Sequence, residues 1–283
     1  MVEWNLYDHM QMKYHHMWEE GVYPEDAVDV LKTKLLELYV NNELTIDTIH
    51  RLFGGINTDY MKRFWIERAK THVVNESMTN LEDDAELLRL KIQKEYPKMD
   101  SYVNPDKDMV MLDLGAGYGT WAYNFADQVK MVHAVDYIKD MVKIGMKRAK
   151  DENVSNVKFF ESSVQDFSSD IEYDLVLLSG ICLYLNDADM RQMLKKMETY
   201  TKPGTVVVLR DSTGLNARHT IEKEYSERLK TMYSATYRTR DEYIAMFKKI
   251  GFVLLQDEDM FEEGSILNRH KETRLRIYKF RRM

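Results

Sequence analysis

The chain has 283 residues, 44% hydrophobic and 31% charged, enough to bury a sizeable core and ordinary for a globular protein. A net charge of −7 argues against general nucleic-acid binding, which needs a surface that neutralises phosphates. One cysteine, Cys182, excludes an internal disulfide framework, and no apolar run approaches the roughly 20 residues that cross a bilayer, so a cytoplasmic chain without a membrane partner is expected.

Residues 1–105 read as a helical cap. Pro24, Glu25 and Asp26 make a helix start, and Val28, Leu31, Leu35 and Leu38 recur at helical spacing until Asn41-Asn42. A short segment, 45–53, leads to Gly54-Gly55, and a helix after Asn57-Thr58-Asp59 carries Phe64, Trp65 and Arg68. Thr79 and Glu82 stand at capping-box spacing before a helix expected to end near Pro97. Met10, Met12 and Met17 with His9, His15 and His16 invite a metal, but no ligand set with definite spacing emerges. A helix that uses Met as core filler is the expectation, with no metal.

From Met109 the texture changes. Apolar runs at Val110–Leu114, Met131–Val135, Val157–Phe160, Asp174–Leu178 and Thr205–Leu209 suit strands buried on both faces of a parallel sheet. Helical patterns at Thr120–Asp127, Lys139–Lys150 and Ala188–Tyr200 separate them, which makes right-handed βαβ units. Residues 212–236 are polar and read as roughly helical, an insertion spanning 212–238. Thr239 and Glu242 form a capping box for a helix that ends at Gly251. Phe252–Gln256 and Arg274–Phe280 then read as an antiparallel pair, with the alternating basic residues of 274–282 on an edge strand. The expected fold is α/β, a doubly wound, mostly parallel seven-stranded sheet with an antiparallel last strand. The cap is expected to occupy 1–105 and the sheet domain 106–283.

The chemistry concentrates at the carboxyl ends of the strands, where open α/β sheets bind ligands. The first strand runs into Asp113-Leu-Gly115-Ala-Gly117-Tyr-Gly119, and the second ends in Asp136, about 20 residues on, where a carboxylate can accept both ribose hydroxyls. The loop is G-x-G-x-G, with Thr120 where a dinucleotide fingerprint has its third glycine. An acid before the loop repels a pyrophosphate but suits the ammonium and sulfonium of S-adenosylmethionine.

These residues, VMLDLGAGYG above all, resemble the first motif of the class I, seven-stranded S-adenosylmethionine-dependent methyltransferases, and the likeness runs from Met109 through the closing strand pair. It implies S-adenosyl-L-methionine as cofactor, with Asp113, Gly115, Ala116 and Gly117 at its methionine part, Asp136 at the ribose and Tyr137 on the adenine. The acid expected near the adenine amino group is replaced by Ser163. Either Ser163 or Asp166 meets the base, and the Val164 amide faces the ring in both cases. Ser179 and Gly180 would meet the methionine ammonium, and Trp65 and Arg68 would fold over the cofactor. No N-P-P-Y or D-P-P-Y follows the fourth strand, and no Pro-Cys, so Cys182 reads as a small buried residue.

Asp211, His219 and Tyr184 are the candidate proton acceptors, and Arg210, Tyr237 and Arg238 are candidates for holding an anionic or sugar-like acceptor. A helical cap plus an insertion after the fifth strand would enclose a small-molecule acceptor methylated on oxygen or nitrogen. A protein or RNA methyltransferase, an NAD-dependent oxidoreductase and a catalytically silent methyltransferase-like subunit stay open. The oligomeric state is open as well.

Overall fold

A computed structural model describes residues 37, 39–43, 56–71, 79–82 and 84–283. The Pro24 helix, the 45–53 segment and the Met/His cluster lie outside the described residues. Two helices precede the sheet: α1 (Thr58–Thr71) and α2 (Ala85–Val103). α2 starts at Asp84, whose carboxylate accepts the amides of Glu86 and Leu87, a cap worth about 1 kcal/mol. The expected capping box is therefore displaced. Glu82 instead accepts the amide of Asp84, at 3.2 Å. Nor does α2 stop near Pro97. It continues to Val103 because Met99, Tyr102 and Val103 are buried against the sheet, and that burial outweighs one lost backbone bond.

The order then alternates: β1 (Val110–Leu114), α3 (Thr120–Ala126), β2 (Met131–Asp136), α4 (Lys139–Asp151), β3 (Val157–Glu161) and β4 (Tyr173–Ser179). A 3₁₀ turn, Cys182–Tyr184, leads to α5 (Asp187–Met197) and β5 (Thr201–Gly214). β6 (His219–Ser226) and β7 (Thr231–Tyr237) form a separate antiparallel hairpin, and α6 (Arg240–Lys249), β8 (Phe252–Asp259) and β9 (Thr273–Arg282) close the chain. The sheet order is β3-β2-β1-β4-β5-β9-β8. β1 to β5 pair in parallel, and β9 pairs antiparallel to both β5 and β8. This is the expected doubly wound, mostly parallel seven-stranded array with one reversed strand.

Each βαβ element forms for a local reason. β1 is VMLDL, with Met111, Leu112 and Leu114 all at 0% exposure, worth about 1.5–3 kcal/mol apiece. One core cluster packs α5 and α6 onto β4, β5 and β9, and the other packs α2 and α3 onto the opposite face. α6 carries the expected capping box, with Thr239 Oγ1 accepting the Glu242 amide and Glu242 accepting the Thr239 amide.

Two readings of the second half need correction. The segment after β5 is a hairpin rather than a helix. TMYSATY is rich in β-branched and aromatic residues, and Tyr233, Ser234, Ala235 and Thr236 are buried in succession. Those contacts override the helical propensity of the charged stretch before it. β9 is also an interior strand, with β8 at the edge.

Candidate functional site

Strand order reverses between β1 and β4, so the crevice opens above their carboxyl ends. β1 delivers Gly115 at φ +78° and Gly117 at φ +59°. At Gly115 a side chain would also collide with Ile181, since a Cβ there would lie 2.9 Å from Cγ1. The loop is pinned to β2 by the Gly115 and Ala116 amides, both donating to the Val135 carbonyl at 2.9 Å. Asp136 completes the tie. Its Oδ2 accepts the Gly117 amide at 2.9 Å and its Oδ1 the Ile138 amide at 2.8 Å. Each oxygen keeps a second lone pair, the number a vicinal diol needs. Burial raises the Asp136 carboxyl to about 6.

Trp65, Thr79, Gly115, Gly117, Asp136, Tyr137, Gly180 and Tyr184 surround one cavity of about 60 Å³, together with Ile138, Met141 and Ile181. Its roof is Trp65 of α1 and Thr79, whose methyl carbon lies 3.2 Å from where a Gly117 Cβ would stand. A second cavity, about 520 Å³, adjoins it and shares Thr79, Gly180 and Tyr184. Its walls come from α2, the end of β5, the β6–β7 hairpin and the loop before β9.

Several expected residues stand elsewhere. Asp113 lines neither cavity. It is buried with its Oδ2 lacking a hydrogen-bond partner among the described residues, and burial, then opposed by the Ala122 amide, raises it to about 7. Ala116 faces the α2–α3 core, and Arg68 is 5% exposed inside α1, so neither lines a cavity. The Ser163 hydroxyl donates to Asp166, its amide neighbour Val164 is buried in the core, and both lie outside the two cavities. Ser179 accepts from Arg210 Nη1 at 3.3 Å beside the shared wall.

Among the candidate proton acceptors, Asp211 and Tyr184 reach the larger cavity and His219 does not. Asp211 Oδ2 accepts the Leu183 amide at 2.9 Å and the Tyr243 hydroxyl at 3.0 Å, and burial raises the carboxyl to about 7. It thereby ties β5 to the 3₁₀ turn that presents Tyr184. The Tyr184 and Tyr233 hydroxyls are 2.9 Å apart, and burial holds both phenols un-ionised. His219 stands on β6 rather than on a helix, stacked on Tyr237 with ring centroids 5.8 Å apart.

Arg238 is likewise no acceptor ligand. Fully buried, it donates from Nε and Nη2 to Asp187 and also to the carbonyls of Cys182 and Leu185, bracing the turn from behind. Cys182 is buried and its thiol is pushed up by burial. Sequence reasoning missed Lys91, Tyr233, Arg228 and Arg269 on the larger cavity's walls. The first sits in an ordinary helical pattern, and Arg228 and Tyr233 fall in the misread hairpin.

A family model for the methyltransferase domain matches residues 105–263. The chain belongs to that family, among the class I S-adenosylmethionine-dependent methyltransferases. It is 28% identical over 166 residues to phosphoethanolamine N-methyltransferase 3 of Arabidopsis thaliana, covering 56% of this chain and 31% of that protein. To the release factor glutamine methyltransferase of Francisella tularensis it is 26% identical over 184 residues, covering 60% and 62%. It therefore spans about a third of the length of the first and less than two thirds of the second. The structure of Haemonchus contortus phosphoethanolamine N-methyltransferase 1, solved with phosphoethanolamine and S-adenosylhomocysteine, superposes with a TM-score of 0.62 at 17% identity, over 78% of this chain and 48% of that one.

Proposed function

We propose that this chain transfers the methyl group of S-adenosylmethionine to oxygen or nitrogen of a small-molecule acceptor held in the larger cavity. The observation that carries this reading is the shared wall. Thr79, Gly180 and Tyr184 border both the space above the glycine loop and the 520 Å³ cavity, so a methyl group leaving one enters the other. In this reading Gly115 and Gly117 let the methionine part pass close to the backbone, Asp136 takes the ribose hydroxyls and Tyr137 packs on the adenine. Among the described residues of 1–105, α1 and residues 79–82 act as a cap, and the 212–238 segment acts as the acceptor-side wall. The donor set fits the cofactor. The enclosed space above the loop is smaller than the molecule, so Trp65 and Thr79 part as it enters.

Methyl transfer is an in-line displacement at carbon, and alignment is the main thing the protein supplies. Tyr184, fixed by Tyr233 and by the Asp211-braced turn, aligns the acceptor at the wall. Asp211, held near neutrality, is the group able to take a proton from a hydroxyl acceptor. Relatives acting on phosphoethanolamine support a small acceptor, and so does a cavity bounded by four elements. The Francisella relative keeps a protein acceptor as the second reading.

The test is calorimetry with S-adenosylmethionine and NAD, followed by transfer of a labelled methyl group to small amines and hydroxyl compounds, to protein and to RNA. Binding of NAD alone refutes the donor assignment. Transfer only to protein or RNA refutes the small acceptor, and binding without transfer to anything points to a silent subunit.

A further inference from the structure

The walls of the larger cavity gather positive charge from parts of the chain that are distant in sequence. Lys91 comes from α2, Arg210 from the end of β5, Arg228 from the β6–β7 turn, and Arg269 with His270 from the loop before β9. These groups feel one another. Burial first, and then Arg210 and Arg228 against the opposing pull of Glu95, lower Lys91 to about 8, and His270 is lowered by burial and by Arg228. In a chain of net charge −7, cations converging on one cavity are a local inversion.

The carboxylates present leave part of that charge unanswered. Arg269 is taken by Glu82. Glu95 is shared, at 2.6 Å from Arg210 Nη2 and 3.9 Å from Lys91 Nζ, so one carboxylate serves two cations. Arg210 Nε is buried without a hydrogen-bond partner among the described residues, and the residue is only 8% exposed. Arg228 makes no ion pair among the described residues. Burial raises the Asp211 carboxyl to about 7, and Glu224, Glu227 and Arg228 all sit on the exposed hairpin side of the cavity, which leaves Lys91 and Arg210 as the cations on its buried wall. Like charges held together at a low-dielectric wall cost free energy unless an anion joins them.

We propose that the acceptor taken by this cavity carries an anionic group, a phosphate or a carboxylate, seated by Lys91, Arg210 and Arg228. This deepens the methyltransferase reading and rests on it for the word acceptor alone. The seat begins at the reacting wall, because the Gly180 amide donates to the Arg210 carbonyl at 2.8 Å.

The experiment titrates inorganic phosphate, and separately malonate, into the full chain saturated with S-adenosylhomocysteine, by calorimetry, in a buffer free of other multivalent anions. Expected is saturable binding of at least one anion. It should weaken about tenfold in Arg228→Gln and in Lys91→Met, as for loss of one charge-assisted contact, with S-adenosylhomocysteine affinity unchanged. Phosphate preferred over malonate assigns a phosphorylated acceptor, and the reverse a carboxylated one. No saturable binding overturns the proposal, and so does equal binding by both variants. If S-adenosylhomocysteine abolishes anion binding, the cluster serves the cofactor's own carboxylate, and the proposal falls. If S-adenosylhomocysteine itself fails to bind, the donor reading fails, and titration of the chain alone still judges the anion seat.

Discussion

Replacing Asp136 with alanine removes one carboxylate that does two things at once. Its oxygens accept the Gly117 and Ile138 amides at 2.9 and 2.8 Å, which shapes the loop. Their remaining lone pairs are the only ones needed to accept two ribose hydroxyls. A hydrogen bond to a charged group contributes about 1.5–3 kcal/mol, and water partly replaces it when the partner is cut away. The expected loss in cofactor binding is therefore about 1–3 kcal/mol, or roughly a 5- to 150-fold rise in Kd. Asp136→Asn separates the two roles, because it keeps the volume and one accepting oxygen while losing the charge. Calorimetry with S-adenosylhomocysteine reads the affinity of both variants, and thermal unfolding without ligand reads the loop. Unchanged affinity in Asp136→Ala would refute the ribose placement. A large drop in stability with no separate change in affinity would show that the residue only shapes the loop.

Burial holds Asp136 up to about 6 against an ordinary 3.8. Its native value exceeds its unfolded one, so its contribution to stability is greatest below about 3.8 and is lost as pH rises through about 6. Cofactor binding runs the other way, since hydroxyls donate to the ionised carboxylate. Kd should rise about tenfold per pH unit below 6, and calorimetry of Asp136→Asn across the same range should show a flatter profile. Arg238→Met leaves Asp187 buried with only Arg218, 2.7 Å from its other oxygen, and should cost about 3 kcal/mol in chemical denaturation, the lower end of the range for a broken buried pair. Cofactor binding should shift the fluorescence of Trp65 as the roof parts, and Trp65→Phe should remove that change while leaving the chain folded.

The sheet was legible because its signals are local. VMLDL, MVHAVD and YDLVLLS are apolar on both faces, and each ends where a glycine or an acid changes the chain's direction. The residues that line the smaller cavity lie close in sequence for the same reason, since Gly115, Gly117, Asp136 and Tyr137 belong to one β-loop-helix-β unit. Those of the larger cavity do not. Lys91, Arg210, Arg228 and Tyr233 meet only after α2, β5 and the hairpin have packed, and no spacing records such a meeting. Arg238 and Asp113 show a second limit. A charged residue beside a site signal reads as a ligand contact, and only burial and bond partners show that Arg238 spends its donors on Asp187 and two carbonyls. The hairpin was hidden by composition, because EKEYSERLK favours a helix until tertiary contacts of Tyr233 and Ala235 decide otherwise.

The reversed strand has a bearing on how the molecule is made. β8 leaves the ribosome before β9, yet it has no place in the sheet until β9 has slotted between it and β5. β9 pairs with β5 from Val206 to Gly214, and that stretch carries both Arg210 and Asp211. A nascent chain that has completed β5 already owns the glycine loop and Asp136, but β5, which carries Arg210 and Asp211 to the larger cavity, still has an open edge. The two cavities thus mature in sequence, and β9 is the strand that finishes the larger one.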